Sequence, residues 1–337
     1  MSARTERPAA PDGRQETRRL IGPHLPLGTG LLKAAERASQ IGATAIQVFT
    51  DNPTAWRRRE ALPRELARFR ERLARAGIGP VAVHAPYLVN LCGANEDFWQ
   101  RSVATMANEL RVGAQYGAHF VVMHIGSHRG LERGEGIDRL AAGIFAVLAA
   151  ADAGHAAAGA DGPLPQLVLE NAAGTGDGIG ASLEDLADAL EAAAFHGVPP
   201  ERVGVCLDTA HLWGAGYDIS GTTGIDGLVR RIDELLDRRR VVMLHLNDSR
   251  TELGARLDRH EHIGAGHVGG EGLRELLNHP WLGGLPTYLE TPGMDTGYDQ
   301  VNLDRALMLA AGEALPGLPP EAFQQRRSRA PGGAPRG

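Results

Sequence analysis

Nine side chains in this sequence are of the types that bind divalent metal ions, and most of them stand at the ends of short apolar runs. A strand in a protein core has no need of an imidazole or a carboxylate at its tip, so the repetition calls for a chemical explanation. The five imidazoles and four carboxylates are His84, His124, Glu170, Asp208, His211, His245, Asp258, His260 and Glu290.

These groups point to metal chemistry only when they are taken together. Alone, a histidine at a strand end is more often a hydrogen-bonded core or loop residue, and a carboxylate there is more often a helix cap. Four carboxylates in one cavity would repel one another strongly unless cations were present. Histidine nitrogens with carboxylate oxygens are typical ligands of zinc or manganese rather than magnesium. At about three protein ligands per catalytic zinc, nine ligands predict two or three metal ions.

The local spacing of some ligands supports this interpretation. Asp258 and His260 are two residues apart, so in extended backbone they project to the same side and could hold one ion. Asp208 and His211 flank a predicted strand-to-helix turn, where they could face the same ion or adjacent ions. Glu170 has two carboxylate oxygens and could bridge two ions.

The elements that must position these residues follow an alternating pattern. Eight apolar runs are separated by segments of helical periodicity, one of which begins with a capping box formed by Ser182 and Asp185. Runs of this kind suit strands buried on both faces of a parallel sheet. The runs lie at 20–25, 44–49, 80–87, 119–124, 166–171, 203–208, 241–246 and 286–290. We therefore predict an α/β fold, a TIM (β/α)8 barrel with its active site at the carboxyl ends of the strands. A doubly wound open sheet is the alternative.

Composition narrows the class of protein. The 337 residues include 35 basic and 41 acidic side chains, so the net charge of −6 excludes a generally basic nucleic-acid coat protein. Two distant cysteines, Cys92 and Cys206, are typical of reduced, buried thiols. The longest apolar stretch, 141–151, is too short to span a bilayer, and the first 19 residues lack the apolar core of a signal peptide. These features favour a cytoplasmic protein without a membrane anchor.

We expect one ordered domain with two tails. Residues 1–19 are polar and Arg-rich, and residues 315–337 mix Pro, Gly and Arg without periodicity, so both are predicted to be disordered. The barrel domain is predicted to span 20–314. The Ala- and Gly-rich stretch at 153–165 is predicted to be a flexible insertion before the fifth strand.

Arginine and aromatic residues near the predicted strand ends suggest a phosphate-containing substrate. A cluster of two or three metal ions flanked by cations suits phosphoryl chemistry. Tyr87 and Trp56 could stack on bases or sugars, although core packing is slightly favoured for Trp56 and explains Tyr87 less easily. Arginines could contact phosphates, although the run of three at 57–59 is equally well explained as the solvated start of a helix. The arginines concerned are Arg57, Arg58, Arg59, Arg250, Arg256 and Arg259.

The sequence resembles the endonuclease IV family of apurinic/apyrimidinic endonucleases from about residue 20 to about residue 315. The motifs that carry the resemblance are HAPYLVNL at 84–91, HIGSH at 124–128, LENAAG at 169–174, GVCLDTAH at 204–211, HLNDS at 245–249, DRHEHIGAG at 258–266 and LET at 289–291. The resemblance implies a monomeric TIM-barrel enzyme with three Zn²⁺ ions, with Mn²⁺ as an alternative at one or more sites. It further implies hydrolysis of the phosphodiester 5′ to an abasic site in duplex DNA. The products would be a 3′-hydroxyl and a 5′-deoxyribose phosphate, and removal of 3′-blocking groups is expected as well.

The resemblance also implies how the ligands are grouped. His84, His124 and Glu170 match the ligands of a first zinc, and Glu170 would bridge to a second. Asp208, His245 and Glu290 would complete the second site, and Glu290 would also help to activate the attacking water. His211, Asp258 and His260 match the ligands of the third zinc. Glu170 and Glu290 are thus the expected catalytic residues.

Four residues are expected to contact DNA. Tyr87 matches the aromatic residue that such enzymes place at the abasic nucleotide, and Arg259, between two ligands, is a candidate phosphate contact. In the loop after the second strand the family typically has Asn-Gln-x-Gln-Trp, where this chain has NPTAW at 52–56. Asn52 and Trp56 match that pattern. The three residues between them do not, so the residue that such enzymes wedge into the DNA stack is not matched.

Two other functions remain to be distinguished. A sugar isomerase or epimerase on a similar barrel would need a quartet such as Glu170, Asp208, His245 and Glu290 with one or two metal ions. Such an enzyme has no use for the five remaining ligands, which favour the nuclease. A non-catalytic metal protein would more often use a closed, Cys-rich site, and no cysteine is among these nine residues.

Overall fold

Eight short parallel strands form the centre of the protein in the computed structural model, which describes residues 18–324. In that part of the chain the strands are β1 (Ile21–Pro23), β2 (Ile46–Val48), β3 (Val81–His84), β4 (Ala118–His124), β5 (Gln166–Glu170), β6 (Val203–Asp208), β7 (Val241–His245), β8 (Asp248–Ser249), β9 (His260–Glu261) and β10 (Thr287–Leu289). Strands β8 and β9 form a separate antiparallel pair.

The sheet closes on itself. Its strand order is β1-β10-β7-β6-β5-β4-β3-β2, so the barrel strands follow one another in chain order and the last, β10, pairs with the first, β1. The two ends meet through a parallel bridge between His24 and Gln47 and a 2.8 Å hydrogen bond from Leu25 N to Gln47 O. A doubly wound sheet would reverse its strand order and stay open. The prediction of a TIM barrel is therefore confirmed.

Helices cover the outside of the barrel. They are α1 (Leu31–Gln40), α2 (Leu66–Ala76), α3 (Glu96–Tyr116), α4 (Arg133–Ala157), α5 (Leu183–Phe195), α6 (Thr209–Ala215), α7 (Thr222–Leu235), α8 (Gly269–Asn278) and α9 (Tyr298–Ala310), with 3₁₀ turns at Pro200–Arg202, Arg238–Arg240, Leu282–Gly284 and Pro320–Gln324. The predicted capping box is present: Ser182 Oγ accepts from Asp185 N at 3.1 Å, and the Asp185 carboxylate accepts from Ser182 N at 3.3 Å. Local signals in the sequence thus start this helix as expected.

A small inner cluster fills the barrel below its carboxyl end. One buried residue comes from each of seven strands or their edges: Ala45, Ala82, Val122, Val168, Cys206, Met243 and Tyr288. Because side chains on one strand alternate in direction, the residue two positions further along each strand also points into the barrel. The apolar cluster is therefore the floor on which the next layer of side chains lies.

Two parts of the chain are more ordered than the composition suggested. The predicted insertion at 153–165 begins as helix, since α4 continues to Ala157. The described part of the predicted C-terminal tail, 315–324, packs on the barrel. There Ala322 is buried, its carbonyl accepts a hydrogen bond from His262 Nε2 at 3.0 Å, and Pro316 O accepts one from Arg305 at 2.6 Å. The packed chain thus extends past residue 314, and the predictions for 1–17 and 325–337 fall outside the described residues.

Helix α4 also bears on the prediction that the chain has no membrane segment. Among the described residues it is the one helix long and apolar enough to cross a bilayer by length and composition. In its most apolar window, 39% of the residues are buried inside the protein. Helices that pack in a protein core share this composition, so α4 is weak evidence for a membrane span.

Candidate metal centre

The candidate ligands form a single layer directly above the apolar floor of the barrel. His84 follows Ala82 by two residues, and the same offset relates Glu170 to Val168 and His245 to Met243. His124, Asp208 and Glu290 follow their own floor residues in the same way. The alternation of side chains along each strand therefore brings six of the nine predicted ligands to one level of the barrel. The other three, His211, Asp258 and His260, lie at the start of α6 and around β9.

Glu170 is at the centre of this layer. Its side chain is fully buried, and its Oε2 atom lies 3.4 Å from Nε2 of His84 and 3.4 Å from Nε2 of His124. Ligand atoms of these three residues all lie within 4.8 Å of one another, so one ion could contact all three. This group matches the ligand set that the family resemblance implied for the first metal.

A second group shares Glu170 with the first. Nδ1 of His245 lies 3.0 Å from Oε1 of Glu170, 3.4 Å from Oε2 of Glu290 and 3.9 Å from Oδ2 of Asp208. Ligand atoms of these four residues again lie within 4.8 Å of one another. Because each oxygen of Glu170 faces a different group, its carboxylate is placed to bridge two ions.

The third group lies nearer the mouth of the barrel. Nε2 of His260 is 3.1 Å from Oδ1 of Asp258, and Nε2 of His211 is 3.4 Å from Oδ2 of the same carboxylate. The Asp258 side chain is 46% exposed, whereas His211 is almost fully buried. Asp208 Oδ2 also approaches His260 Nε2, at 3.6 Å. It is Asp208 rather than Asp258 whose ligand atom lies within 4.8 Å of those of both His211 and His260, so Asp208 connects the second and third groups.

Hydrogen bonds to the backbone orient three of the imidazoles. Nδ1 of His84 donates to Ala85 O at 2.7 Å, Nδ1 of His211 to Asn171 O at 2.9 Å and Nδ1 of His260 to Glu290 O at 3.0 Å. A carbonyl oxygen only accepts, so each Nδ1 carries the proton. In the neutral ring each Nε2 then has its lone pair toward the carboxylates, as a metal ligand requires.

Among the candidate ligands, two buried atoms have no partner with hydrogen-bond geometry in the described part of the chain, although ionisable atoms lie 3.1 to 3.4 Å away. They are Glu170 Oε2 and His260 Nε2. Leaving a buried polar atom unpaired costs about 1–3 kcal/mol, so such atoms in a folded protein call for a ligand. Both atoms belong to candidate ligands, and both are of the kinds that bind zinc or manganese. The residues therefore fit the metal ions that the family implies.

The electrostatics of the site also favour cations. Burial alone would lower the pKa of His260, but the Asp258 and Asp208 carboxylates raise it to about 10. Burial would raise the pKa of Glu170, yet the nearby His245 and His124 hold it well below its usual value. Likewise His245 and His24 keep the pKa of Glu290 low despite its burial. The carboxylates are thus ionised and require positive charge beside them, from protons or from metal ions.

Three polar residues at this level were missed in the sequence. Asn247 donates from Nδ2 to Asp208 Oδ2 at 2.6 Å and accepts from Glu290 N at 2.8 Å. Gln47 contacts both His245 and Glu290, and His24 lies 3.2 Å from Glu290 Oε1. The spacing could have revealed Gln47, because it follows the floor residue Ala45 by two positions, as the strand ligands follow theirs.

The predicted DNA contacts lie at the mouth of the barrel or beside it. Tyr87 is 44% exposed, and its ring centroid is 5.6 Å from that of His84. Arg259 is exposed and donates to Asp258 O at 2.6 Å. Asn52 is exposed and accepts from Thr54 N at 3.0 Å, which shapes the loop. The ring of Trp56 packs edge-on against that of Phe98, with the centroids 5.0 Å apart, so this side chain contributes to packing.

Two of the arginines that could have contacted phosphates are already engaged. Arg58 lies 3.4 Å from Glu109 with its side chain only 12% exposed, and it donates to the carbonyl of Ala55. Arg250 is 3.1 Å from Glu261, and its side chain is 23% exposed. These two side chains hold loops together in this structure, and their contact with phosphates stays a prediction. Arg57, Arg59, Arg256 and Arg259 remain exposed, and Arg59 lies 3.6 Å from Asp51.

Comparison with known proteins agrees with this architecture. The chain matches the family model of the xylose isomerase-like TIM barrel over residues 35–311. It is 34% identical over 288 residues to the probable endonuclease 4 of Halothermothrix orenii, which covers 85% of this chain and 99% of that protein. It is 36% identical over 294 residues to the probable endonuclease 4 of Methanoculleus marisnigri, covering 86% and 99%.

A solved structure gives the same result. The crystal structure of endonuclease IV from Thermus thermophilus aligns with a TM-score of 0.73 at 34% sequence identity, and the alignment covers 88% of this chain and all of that one. Both the sequence relatives and this structure are matched over almost their full length. The chain therefore belongs to the endonuclease IV family of xylose isomerase-like TIM-barrel proteins.

Proposed function

We propose that this protein is a DNA-repair endonuclease that hydrolyses the phosphodiester 5′ to abasic sites in duplex DNA. Cleavage leaves a 3′-hydroxyl and a 5′-deoxyribose phosphate, and the same site removes 3′-blocking groups. The observation that carries this proposal is the central position of Glu170, whose two oxygens face two different groups of ligand atoms. Adjacent groups of this kind are typical of enzymes that use several metal ions to hydrolyse phosphodiesters.

Three zinc ions are the proposed cofactors, with manganese as the alternative at one or more sites. His84, His124 and Glu170 would hold the first ion. Glu170, Asp208, His245 and Glu290 would hold the second, and His211, Asp258 and His260 the third. Ions of this kind supply Lewis acidity, which lowers the pKa of a water molecule and stabilises negative charge on a phosphate.

The protein's own residues would position the reactants. Glu290 has one oxygen, Oε1, held by Gln47 at 2.6 Å, which leaves Oε2 to accept a hydrogen bond from the attacking water and orient it. Glu170 would help to hold both of the first two ions, because its two oxygens face different ligand groups. In this proposal both residues act at the reacting phosphate, and no other protein group is needed as a base.

DNA would approach the open end of the barrel. Tyr87 presents an exposed ring beside His84 and is proposed to stack on the abasic nucleotide. Arg259, Arg256 and Arg57 are exposed and are proposed to contact backbone phosphates. The loop at 52–56, including Asn52 and Trp56, is proposed to lie along the DNA. We also propose that the enzyme acts as a monomer in the cytoplasm.

A sugar isomerase or epimerase is the second candidate. Ligand atoms of four residues lie within 4.8 Å of one another, so this quartet could bind a single metal ion, as such an enzyme would require. The residues are Glu170, Asp208, His245 and Glu290. That function leaves the unpaired Nε2 atom of His260 without a purpose. It also leaves no role for the contact of Asp258 with His211 and His260. We therefore favour the nuclease.

One experiment separates the two functions. The purified protein is analysed for bound metals and incubated with a duplex that carries one tetrahydrofuran abasic analogue, beside an undamaged duplex of the same sequence. We expect about three zinc or zinc-like ions per chain and incision only of the abasic duplex, lost on treatment with a chelator and restored by zinc. Failure to incise with zinc or manganese would contradict the nuclease. Isomerisation of a sugar with a single bound metal would establish the alternative.

A further inference from the structure

One buried amide lies in the same layer as the candidate ligands and contacts two of them. Gln47, on β2, is fully buried. Its Nε2 donates to Oε1 of Glu290 at 2.6 Å, and its Oε1 accepts from Nε2 of His245 at 2.9 Å. His245 and Glu290 belong to the same proposed metal site, so a single side chain connects two ligands of one ion.

The chemistry of the partners determines the orientation of this amide. A carboxylate oxygen accepts hydrogen bonds, so the Gln47 atom that faces Oε1 of Glu290 is the NH₂ group. The other end of the amide is then its carbonyl oxygen, which can only accept. His245 must therefore carry a proton on Nε2, so that in the neutral ring, the form that binds a metal, Nδ1 has the lone pair.

That lone pair faces the carboxylates. Nδ1 of His245 is the atom that lies 3.0 Å from Glu170 and 3.4 Å from Glu290. With the opposite tautomer, a ring N–H would occupy the position where a metal ion must bind. Backbone carbonyls fix the tautomers of His84, His211 and His260. The tautomer of His245 depends instead on the side chain of Gln47.

Glutamine suits this position better than similar residues. The Nε2 atom of Gln47 also lies 3.1 Å from Nδ1 of His24, so every polar group of the amide has a neighbour. A glutamate at position 47 would place a carboxylate against Glu290, and an asparagine would be one methylene too short to reach both partners.

We propose that Gln47 is a positioning residue for the second metal site, which sets the tautomer of His245 and the orientation of Glu290 together. This inference rests on the proposed metal cluster. It adds a residue that does not bind the metal itself but orients two of the ligands. Residues that hydrogen-bond to metal ligands fix the tautomer and orientation of those ligands, as backbone carbonyls do for histidines. Loss of such a residue lowers metal affinity by about 10- to 100-fold.

The test compares zinc binding by the full chain and by Gln47→Met, which keeps the length of the side chain but loses both polar groups. Zinc affinity is measured by competition with a chromophoric chelator, without DNA. We expect one ion to bind about 10- to 100-fold more weakly in the variant, and the others to be unchanged. Gln166→Met is the matched control, because Gln166 lies at the amino end of β5, away from the ligand layer, and it should bind like the wild type.

A second measurement excludes a merely structural effect. Nitrogen-15 NMR of the histidine rings in zinc-free protein, at a pH high enough for the His245 ring to be neutral, reports its tautomer, which should lose its preference for Nε2–H in Gln47→Met. If Gln47→Met does not fold, Gln47→Ala makes the same comparison. Equal zinc affinity with an unchanged His245 tautomer would overturn the role of Gln47 alone. A wild-type protein that binds no zinc would overturn the cluster, and the role of Gln47 with it.

Discussion

Oε1 of Glu170 lies 3.0 Å from Nδ1 of His245, although the two residues are 75 positions apart and end strands β5 and β7. The other oxygen of Glu170 faces His84 and His124 and has no hydrogen-bond partner among the described residues. One carboxylate thus connects two groups of ligand atoms. Substitution of Glu170 should therefore affect more than one metal site.

Glu170→Gln tests this relationship. The amide has the same shape but lacks the charge, and one of its two ends would present N–H groups to a metal. We expect the first two ions to be lost or strongly weakened, and incision of an abasic duplex to fall by at least about 100-fold. Metal content by mass spectrometry and single-turnover incision check the result. A variant that keeps all its zinc would show that Glu170 does not bridge.

His260→Ala should affect the third site selectively. His260 contacts Asp258 at 3.1 Å and lies at the edge of the cluster, so its removal leaves the first two groups in place. We expect the loss of one ion and of most incision, with a folded protein by circular dichroism. Asp258→Asn is the companion variant, because its half-exposed side chain can change with little effect on stability. Full activity in both variants would remove these residues from the site.

Zinc binding should release protons at neutral pH. The Asp258 and Asp208 carboxylates raise the pKa of His260 to about 10 against the effect of burial, and the pKa values of His211 and His245 are also raised. At pH 7 these imidazoles are therefore protonated in zinc-free protein, whereas zinc binds the neutral ring. Affinity should rise with pH, by about tenfold per pH unit for each proton displaced.

Calorimetry in two buffers of different ionisation enthalpy measures the protons that zinc releases. The carboxylates add none, because the pKa values of Glu170, Glu290 and Asp258 are already low. His260→Ala should release fewer protons than the wild type. A heat of binding that is independent of the buffer would contradict the raised pKa values.

Tyr87→Ala should weaken DNA binding without affecting the metals. The ring is 44% exposed, so its removal leaves no large cavity. Loss of a base- or sugar-stacking contact typically costs about 1–3 kcal/mol. We expect a weaker complex with abasic duplex by fluorescence anisotropy and an unchanged zinc content. Tyr87→Phe keeps the ring and should bind like the wild type, whereas equal binding by Tyr87→Ala would argue against stacking.

Removal of residues 315–337 should destabilise the barrel. His262 would lose the Ala322 carbonyl and Arg305 would lose that of Pro316, both at buried positions. We expect the free energy of unfolding in urea to fall by about 1–3 kcal/mol. Deletion of 325–337 alone leaves these contacts intact and serves as the control. Equal stability of the two truncated proteins would show that the packed segment contributes nothing.

Most of the architecture and the nine candidate ligands could be predicted from the sequence. Apolar runs and helical periodicity are local properties, and eight repeats of strand and helix leave few arrangements other than a closed barrel. Once the barrel is expected, residues at the carboxyl ends of the strands, such as His84, Glu170 and His245, must converge. Their chemistry as ligands depends on residue type alone.

Only the tertiary structure decided how those residues are related. Which oxygen of Glu170 faces which imidazole depends on ring orientations and on distances across the barrel, and neither is encoded in spacing along the chain. The engagement of Arg58 with Glu109 was equally invisible, because a run of arginines reads the same whether it is paired or free. The two-residue offset of Gln47 from Ala45 places it in the ligand layer, but an uncharged amide there does not by itself indicate metal chemistry. Its role is evident only where folding places its amide between His245 and Glu290.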